Sequence, residues 1–212
     1  MEPYFGTYQT FQTASKEAAA RLIGPDALIG DRCSIECTLE DGVHKAWLVS
    51  KFGDRLGYFD ADFSRQMSLF KAQEMELAGF LSFVAFTDHP EPGYYWGQAA
   101  VVCWAPSLND AMENFVSALS QSLRRGTRPR INLDANGVNR LQESNGTWMP
   151  KDTVPLPKKE KGTALLKSHQ SFIDGLVEKG RSGNKGCYLL SWAFLLAVVA
   201  LIIFGMKSCG VF

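Results

Sequence analysis

Residues 76–104 read ELAGFLSFVAFTDHPEPGYYWGQAAVVCW. Two runs rich in apolar, aromatic and β-branched residues, 76–87 and 94–104, enclose Asp88-His89-Pro90-Glu91-Pro92-Gly93. Proline lacks the amide that a continuing ladder needs and glycine adopts turn geometry without strain, so the stretch reads as two long strands joined in a hairpin. Upstream the pattern recurs on a smaller scale. Runs 32–39 and 43–51 flank Glu40-Asp41-Gly42, and an Asp-Gly pair between strand-like runs is a hairpin signal. A third strand is expected over 55–59, after the turn Phe52-Gly53-Asp54. Asp60 then caps a helix carrying Phe63, Met67 and Phe70 and running to about residue 75. At the start of the chain, 4–11 reads as a short aromatic strand. Thr13 precedes an alanine-rich helix over 14–23 that stops at Gly24-Pro25.

Downstream of the long hairpin, Ser107 and Asp110 have the spacing of a capping box, and Met112, Phe115, Val116, Leu119 and Leu123 form one apolar stripe. That helix is expected to close at Arg125-Gly126. Residues 132–150 are rich in Asn, Gly and Asp and show little periodicity. The expectation is therefore an α+β fold: a compact β-rich cytosolic domain over 1–150 with several helices. After it come a Pro/Lys-rich linker over 151–162 and an amphipathic juxtamembrane helix over 163–179. The helix carries Leu165, Leu166, His169, Phe172, Ile173, Leu176 and Val177 on one side. A stripe of that kind packs on the body, lies in the membrane interface or forms an oligomer contact.

The fold class is completed by a single C-terminal transmembrane helix. Residues 187–206, CYLLSWAFLLAVVALIIFGM, carry no charge. At about 1.5 Å of rise per residue such a run is roughly 30 Å long, the thickness of a bilayer's hydrocarbon core. Tyr188 and Trp192 suit one interface, and Lys185 and Lys207 suit the two ends. Lys179, Arg181 and Lys185 precede the run and only Lys207 follows it, so the body is expected in the cytosol and 207–212 as a short translocated tail. The opening residues show no secretory signal pattern. An odd number of cysteines, five, agrees with a reducing compartment. Cys33 and Cys37 on one strand stand about 13 Å apart, against the roughly 4–7 Å a disulfide allows. Cys187, on the cytosolic side of the anchor, is the candidate for lipidation.

The formal net charge of zero hides a split. Residues 1–150 hold 13 basic and 18 acidic residues, a net of −5, and 151–186 hold 8 and 4, a net of +4. A basic stalk is drawn to anionic headgroups and an acidic body is held off them.

Little in the chain points to catalysis. His44, His89 and His169 are the only histidines, and none adjoins a nucleophile motif. Gly-x-Ser-x-Gly, the phosphate-cradling Gly-x4-Gly-Lys-Ser/Thr pattern and His-Glu-x-x-His are absent. Asp88-His89-Pro90-Glu91 matches no ligand spacing, so neither a metal nor a cofactor is expected, and no catalytic residue is assigned. Arg124, Arg125, Arg128 and Arg130 crowd the end of a helix, where they suit the dipole and offer bidentate contacts to an anion. Tyr94, Tyr95 and Trp96 add an aromatic run able to stack on bases or peptides.

Within residues 43–104, a strand, then Gly-Asp-Arg-Leu-Gly-Tyr-Phe over 53–59, a helix from Asp60 and two further strands follow one another. This order resembles HIRAN domains, small barrels with a similar Leu-Gly-Tyr step before a helix, here Leu56-Gly57-Tyr58. The resemblance implies non-catalytic binding of nucleic-acid ends. Together the readings favour a tail-anchored, single-pass membrane protein whose cytosolic domain is a non-catalytic interaction module. Its partners are membrane lipids through 187–206 and an unidentified protein, with an oligomer contact through 163–179. The acidic body argues against nucleic acid as a partner. A HIRAN-like nucleic-acid module tethered to a membrane is the alternative, and an enzyme with a site assembled from distant residues is the third reading.

Overall fold

The computed structural model describes residues 2–13, 15–158, 161–171, 174–175 and positions 194, 196 and 198. Its elements are β1 (Tyr4–Gln12), α1 (Lys16–Ile23), β2 (Arg32–Glu40), β3 (Val43–Val49), β4 (Arg55–Phe59), α2 (Ala61–Ala72), β5 (Glu76–Thr87), β6 (Tyr94–Trp104), α3 (Asn109–Arg124), α4 (Ala135–Glu143) and β7 (Thr163–Lys167). The hairpin expected from residues 76–104 forms, in continuous antiparallel register from Glu76↔Trp104 to Thr87↔Tyr94 apart from one irregularity. Every strand pairing is antiparallel. The order is β2-β3-β4-β1-β6-β5, and β5 pairs again with β2, so six strands close into a barrel and β7 is added outside the ring.

Closure depends on β5 serving two neighbours on one edge. Ala78 to Phe80 pair with Arg32 to Ser34 of β2, whereas Val84 to Thr87 pair with β7. The irregularity between Leu81 and Phe83 falls where the strand passes from one neighbour to the other. A bulge bends a strand and sharpens its twist, which is what such a change of partner requires.

Phe11, Leu48, Leu56, Phe59, Phe80, Met67 and Cys103 are among the buried residues of the core. α2 packs on β2, β3 and β5. Its start is set by Asp60, whose carboxylate accepts from the Phe63 amide at 2.9 Å. Ser64, fully buried on α2, accepts from the Ala46 amide at 2.9 Å and donates to the Phe59 carbonyl at 3.2 Å, joining β3 to the end of β4. Gly57 explains the Leu-Gly-Tyr step: a Cβ there would run into the Gln12 carbonyl, so only glycine lets β4 approach β1 this closely. On α3 the whole stripe Met112, Phe115, Val116, Leu119 and Leu123 is buried, and the helix ends at Gly126 with φ of 79°.

Several expectations are corrected. Ser107 and Asp110 do not start α3: Pro106–Leu108 form a 3-10 turn, α3 begins at Asn109, and no side chain caps it. α1 is capped by Ser15, which accepts from the Ala18 amide at 3.2 Å, while the Thr13 hydroxyl donates to the Tyr95 carbonyl at 3.0 Å. Residues 132–150 contain α4, capped by Asp134 through the Gly137 amide at 2.8 Å. Its Asn and Gly content masks it, since Val138 and Leu141 are the only large apolar side chains it buries.

The linker and juxtamembrane helix change most. Residues 151–158 run along the barrel, tied by Arg130 N–H to the Asp152 carbonyl and Val154 N–H to the Arg128 carbonyl, both at 2.8 Å. One compact unit reaches Gln170. Residues 163–167, expected as the first turns of a helix, are instead β7, because they satisfy the otherwise open outer edge of β5. Lys167 then donates to the carbonyls of Leu22, Gly24 and Ala27 at 3.1, 2.7 and 2.9 Å, which caps the negative end of α1.

In the second unit, residues 171–212, Ser171 and Asp174 form reciprocal hydrogen bonds of the capping-box kind, and Asp174 and Gly175 are helical. Positions 194, 196 and 198 are helical and exposed. Among the described residues no helix is long and apolar enough to cross a membrane. The remainder of the expected anchor over 187–206, with Lys185, Cys187, Tyr188, Trp192, Lys207 and the 207–212 tail, lies outside the described residues.

Replacing Ser64 by Ala leaves the Ala46 amide without its buried acceptor, so Ser64→Ala should cost on the order of 1–3 kcal/mol. Denaturant unfolding checks this, with the midpoint expected to fall and the slope to stay constant.

Candidate interaction surfaces

The four arginines of the α3 terminus do not form one patch. Arg124 is half-buried, its stem lies against Gly30, and its carbonyl accepts from the Gln170 amide at 2.8 Å. Arg125 is exposed at the helix end. Arg128 is buried, at 4% exposure, because the chain turns after Gly126 and crosses the outside of β1 and β6. Its guanidinium lies over the Tyr8 ring at 4.4 Å and near Phe83 at 5.5 Å. It donates to Gln98 Oε1 at 2.7 Å and to the Pro155 carbonyl at 3.3 Å. Burial lowers the Arg128 pKa, an effect offset in part by Tyr8, and burial likewise raises the Tyr8 phenol above its ordinary value. Arg130 is exposed and pairs loosely with Asp152 at 3.7 Å. The cluster expected to clamp one anion is therefore divided between a buried tie and separate surface charges.

The aromatic run divides too. Tyr94 is exposed, Tyr95 packs on Phe86 with centroids 4.7 Å apart, and Trp96 stands edge-on to Phe83 at 5.3 Å and 80°. The Trp96 indole donates to Thr87 Oγ1 at 2.9 Å, and Thr87 in turn shares a 3.0 Å hydrogen bond with Thr163 of β7. Along-strand alternation is the cause, since Tyr94 and Trp96 face outwards and Tyr95 the other way.

Two surface features had no clear local signal. An open groove of about 1040 Å³ runs between α4 and residues 150–152, with Arg130, Arg140, Lys151, Asp134 and Trp148 on its walls. It exists because α4 stands off from the 148–152 segment, and no single stretch of sequence contains it. On the other side of the barrel, the outward residues of β2, β3 and β4 form a charged cluster around Trp47. Lys45 and Arg55 lie over its ring at 4.5 and 4.6 Å, and its indole donates to Glu40 at 2.9 Å. Arg55 donates to Glu36 at 2.8 Å, which is the main reason the Glu36 carboxyl lies below its usual range. Alternation in Glu36, Thr38 and Glu40 was the available signal.

The histidines remain apart in the fold. His44 on β3 shares a 3.1 Å hydrogen bond with Ser68, His89 lies in the exposed β5–β6 turn and His169 follows β7. Burial pushes the Cys33 and Cys103 thiols up to about 12, so both stay protonated and unreactive at neutral pH. Among the described residues no group of His, Cys, Asp or Glu is arranged to hold a metal.

Arg128→Ala should destabilise the protein by on the order of 2 kcal/mol, through lost hydrogen bonds and ring contact, whereas Arg130→Ala should cost less than about 1 kcal/mol. Paired denaturation curves check the contrast. A carboxyl with a lowered folded pKa contributes stability that is present above its unfolded value and lost as pH falls through the folded one. Stability should accordingly drop as the pH goes from 7 to below the carboxylate range, and Glu36→Gln should reduce that drop, as read from urea midpoints at the two pH values.

No family model matches the chain, and no curated protein and no solved structure matches it either.

Proposed function

We propose that this chain is a membrane-tethered binding module, anchored through residues 187–206, whose barrel carries the recognition surface for a protein partner on the cytosolic side. One observation carries the reading. The compact unit ends at Gln170 and the uncharged run begins at Cys187, so residues 171–186 alone separate them. Even fully extended, at about 3.5 Å per residue, that stretch reaches roughly 55 Å, an upper limit on the length of the tether. Lys179, Arg181 and Lys185 within it are attracted to anionic headgroups. Lipidation of Cys187 fits the same position as a second membrane hold. The full chain should sediment with membranes, resist alkaline carbonate extraction, and become soluble on deletion of 187–206. Recovery of the intact chain in the soluble fraction without detergent would exclude the anchor.

A second reading, a nucleic-acid-binding module of the HIRAN kind, draws support from the closed six-stranded barrel in which Leu56-Gly57-Tyr58 forms β4 directly before α2. It is separated from the first by titrating the detergent-solubilised chain with a single-stranded oligonucleotide. Binding that weakens steeply with salt supports it, and no binding at low salt excludes it.

A further inference from the structure

Four neighbouring strands place their outward side chains side by side. Trp96 pairs with Gln12 on one flank and Ala85 on the other, Ala85 with Leu165, and Thr87 with Thr163. Tyr8 and Phe83 join this row through their shared contact with Arg128. The outside of the barrel, where alternation ordinarily places polar residues, is here an aromatic trough floored by Tyr8, Phe83, Ala85, Trp96 and Leu165. Phe83 and Ala85 are 2% and 1% exposed because the chain covers them with its own Val154-Pro155-Leu156-Pro157-Lys158.

The fit between cover and floor has a definite chemistry. A proline-rich segment is pre-set in an extended form and has no internal hydrogen bonds, so its carbonyls are open to a lateral donor and its docking costs little entropy. The trough offers a perpendicular aromatic pair, Phe83 and Trp96, and such a donor, Arg128, on the Pro155 carbonyl. Yet the cover does not fill the space. Leu156 is 38% exposed, and a cavity of about 60 Å³ remains between Leu156, Pro157 and the floor. Close packing is the rule in interiors, and a void of this kind forfeits contacts that a bulkier side chain would make.

We propose that the trough is a recognition groove for an extended proline-rich segment of another protein, and that residues 154–158 occupy it in cis as a displaceable cover. The groove gives the partner of the binding-module reading a chemical class and rests on that reading for there being a protein partner at all. It does not depend on the anchor, so the membrane fractionation and the experiment below fail separately.

A tethered segment competes at an effective concentration in the millimolar range, which sets the conditions of the test. The probe is the synthetic peptide TVPLPK, identical to residues 153–158, added to the full chain in detergent micelles. At several millimolar peptide, amide exchange at Val154, whose N–H is bonded to the Arg128 carbonyl, should accelerate at least ten-fold while the barrel amides of β1 and β6 stay protected. With the cover weakened by Pro155→Ala and Pro157→Ala, labelled peptide should bind at least ten-fold more tightly than to the parent chain. Adding Trp96→Ala should abolish that gain. The proposal is overturned if saturating peptide leaves Val154 exchange unchanged in the unmodified chain. It is equally overturned if the weakened chain, its β1 and β6 amides still protected, binds no peptide or binds it equally well with Trp96→Ala.

Discussion

The pairing of β5 with β2 is the constraint on which the rest of the structure depends. Without it the sheet would be an open ribbon with β2 and β5 as exposed edges, each carrying a row of unpaired amides and carbonyls. Only the first half of β5 is used for closure, over Ala78 to Phe80, and the irregularity at Leu81 to Phe83 frees the second half for another neighbour. Closure creates the enclosed space that Phe11, Leu48 and Phe59 occupy, with α2 packed against β2, β3 and β5, whereas Phe80 faces outwards beside α3. The leftover edge of β5 creates the demand that β7 meets.

That demand gives the segment after α3 its course. From Gly126 the chain passes over the outside of β1 and β6, makes α4, returns along 152–158 and ends on β5 as β7. Arg128 lies at the crossing point, bonded to Gln98 of the barrel and to the Pro155 carbonyl of the returning strand, with Tyr8 beneath it. The buried guanidinium is held by two hydrogen bonds and the Tyr8 ring, drawn from three separate parts of the chain, while its Nε has no hydrogen-bond partner among the described residues. Lys167 plays the corresponding part at the far end by capping α1. The C-terminal quarter of the compact unit is therefore a wrapping, held by two cations, over a barrel whose outer face is unusually aromatic.

The proposed membrane anchoring and the barrel's surface chemistry are separate matters in this chain, the one argued from residues 171–212 and the other from residues before them. The proposed tether would set where the barrel acts. The trough under residues 154–158 and the groove beside α4 concern what it meets. The first is apolar and covered by the chain itself, the second polar and open.

Most strands and the three larger helices were legible in the sequence because their signals are local. The Pro-Glu-Pro-Gly turn, the Asp-Gly hairpin, the Asp60 cap and the α3 stripe each depend on neighbouring residues alone. β7 and α4 were not, for opposite reasons. Thr163 to Lys167 have helical spacing but pair with β5, whose edge is about 80 residues away in sequence. α4 has weak propensity and few apolar residues, and packing on α3 together with its Asp134 cap stabilises it. Arg124, Arg125, Arg128 and Arg130 differ in burial because burial is a property of the turn after Gly126, which no arginine spacing reveals. By itself the sequence determined the α+β class, the principal strand and helix boundaries and the uncharged run at 187–206, all set by short-range patterning. Tertiary structure alone decided the barrel's closure, the fate of each arginine and the aromatic trough, because those arise where strands distant in sequence share an edge or a face.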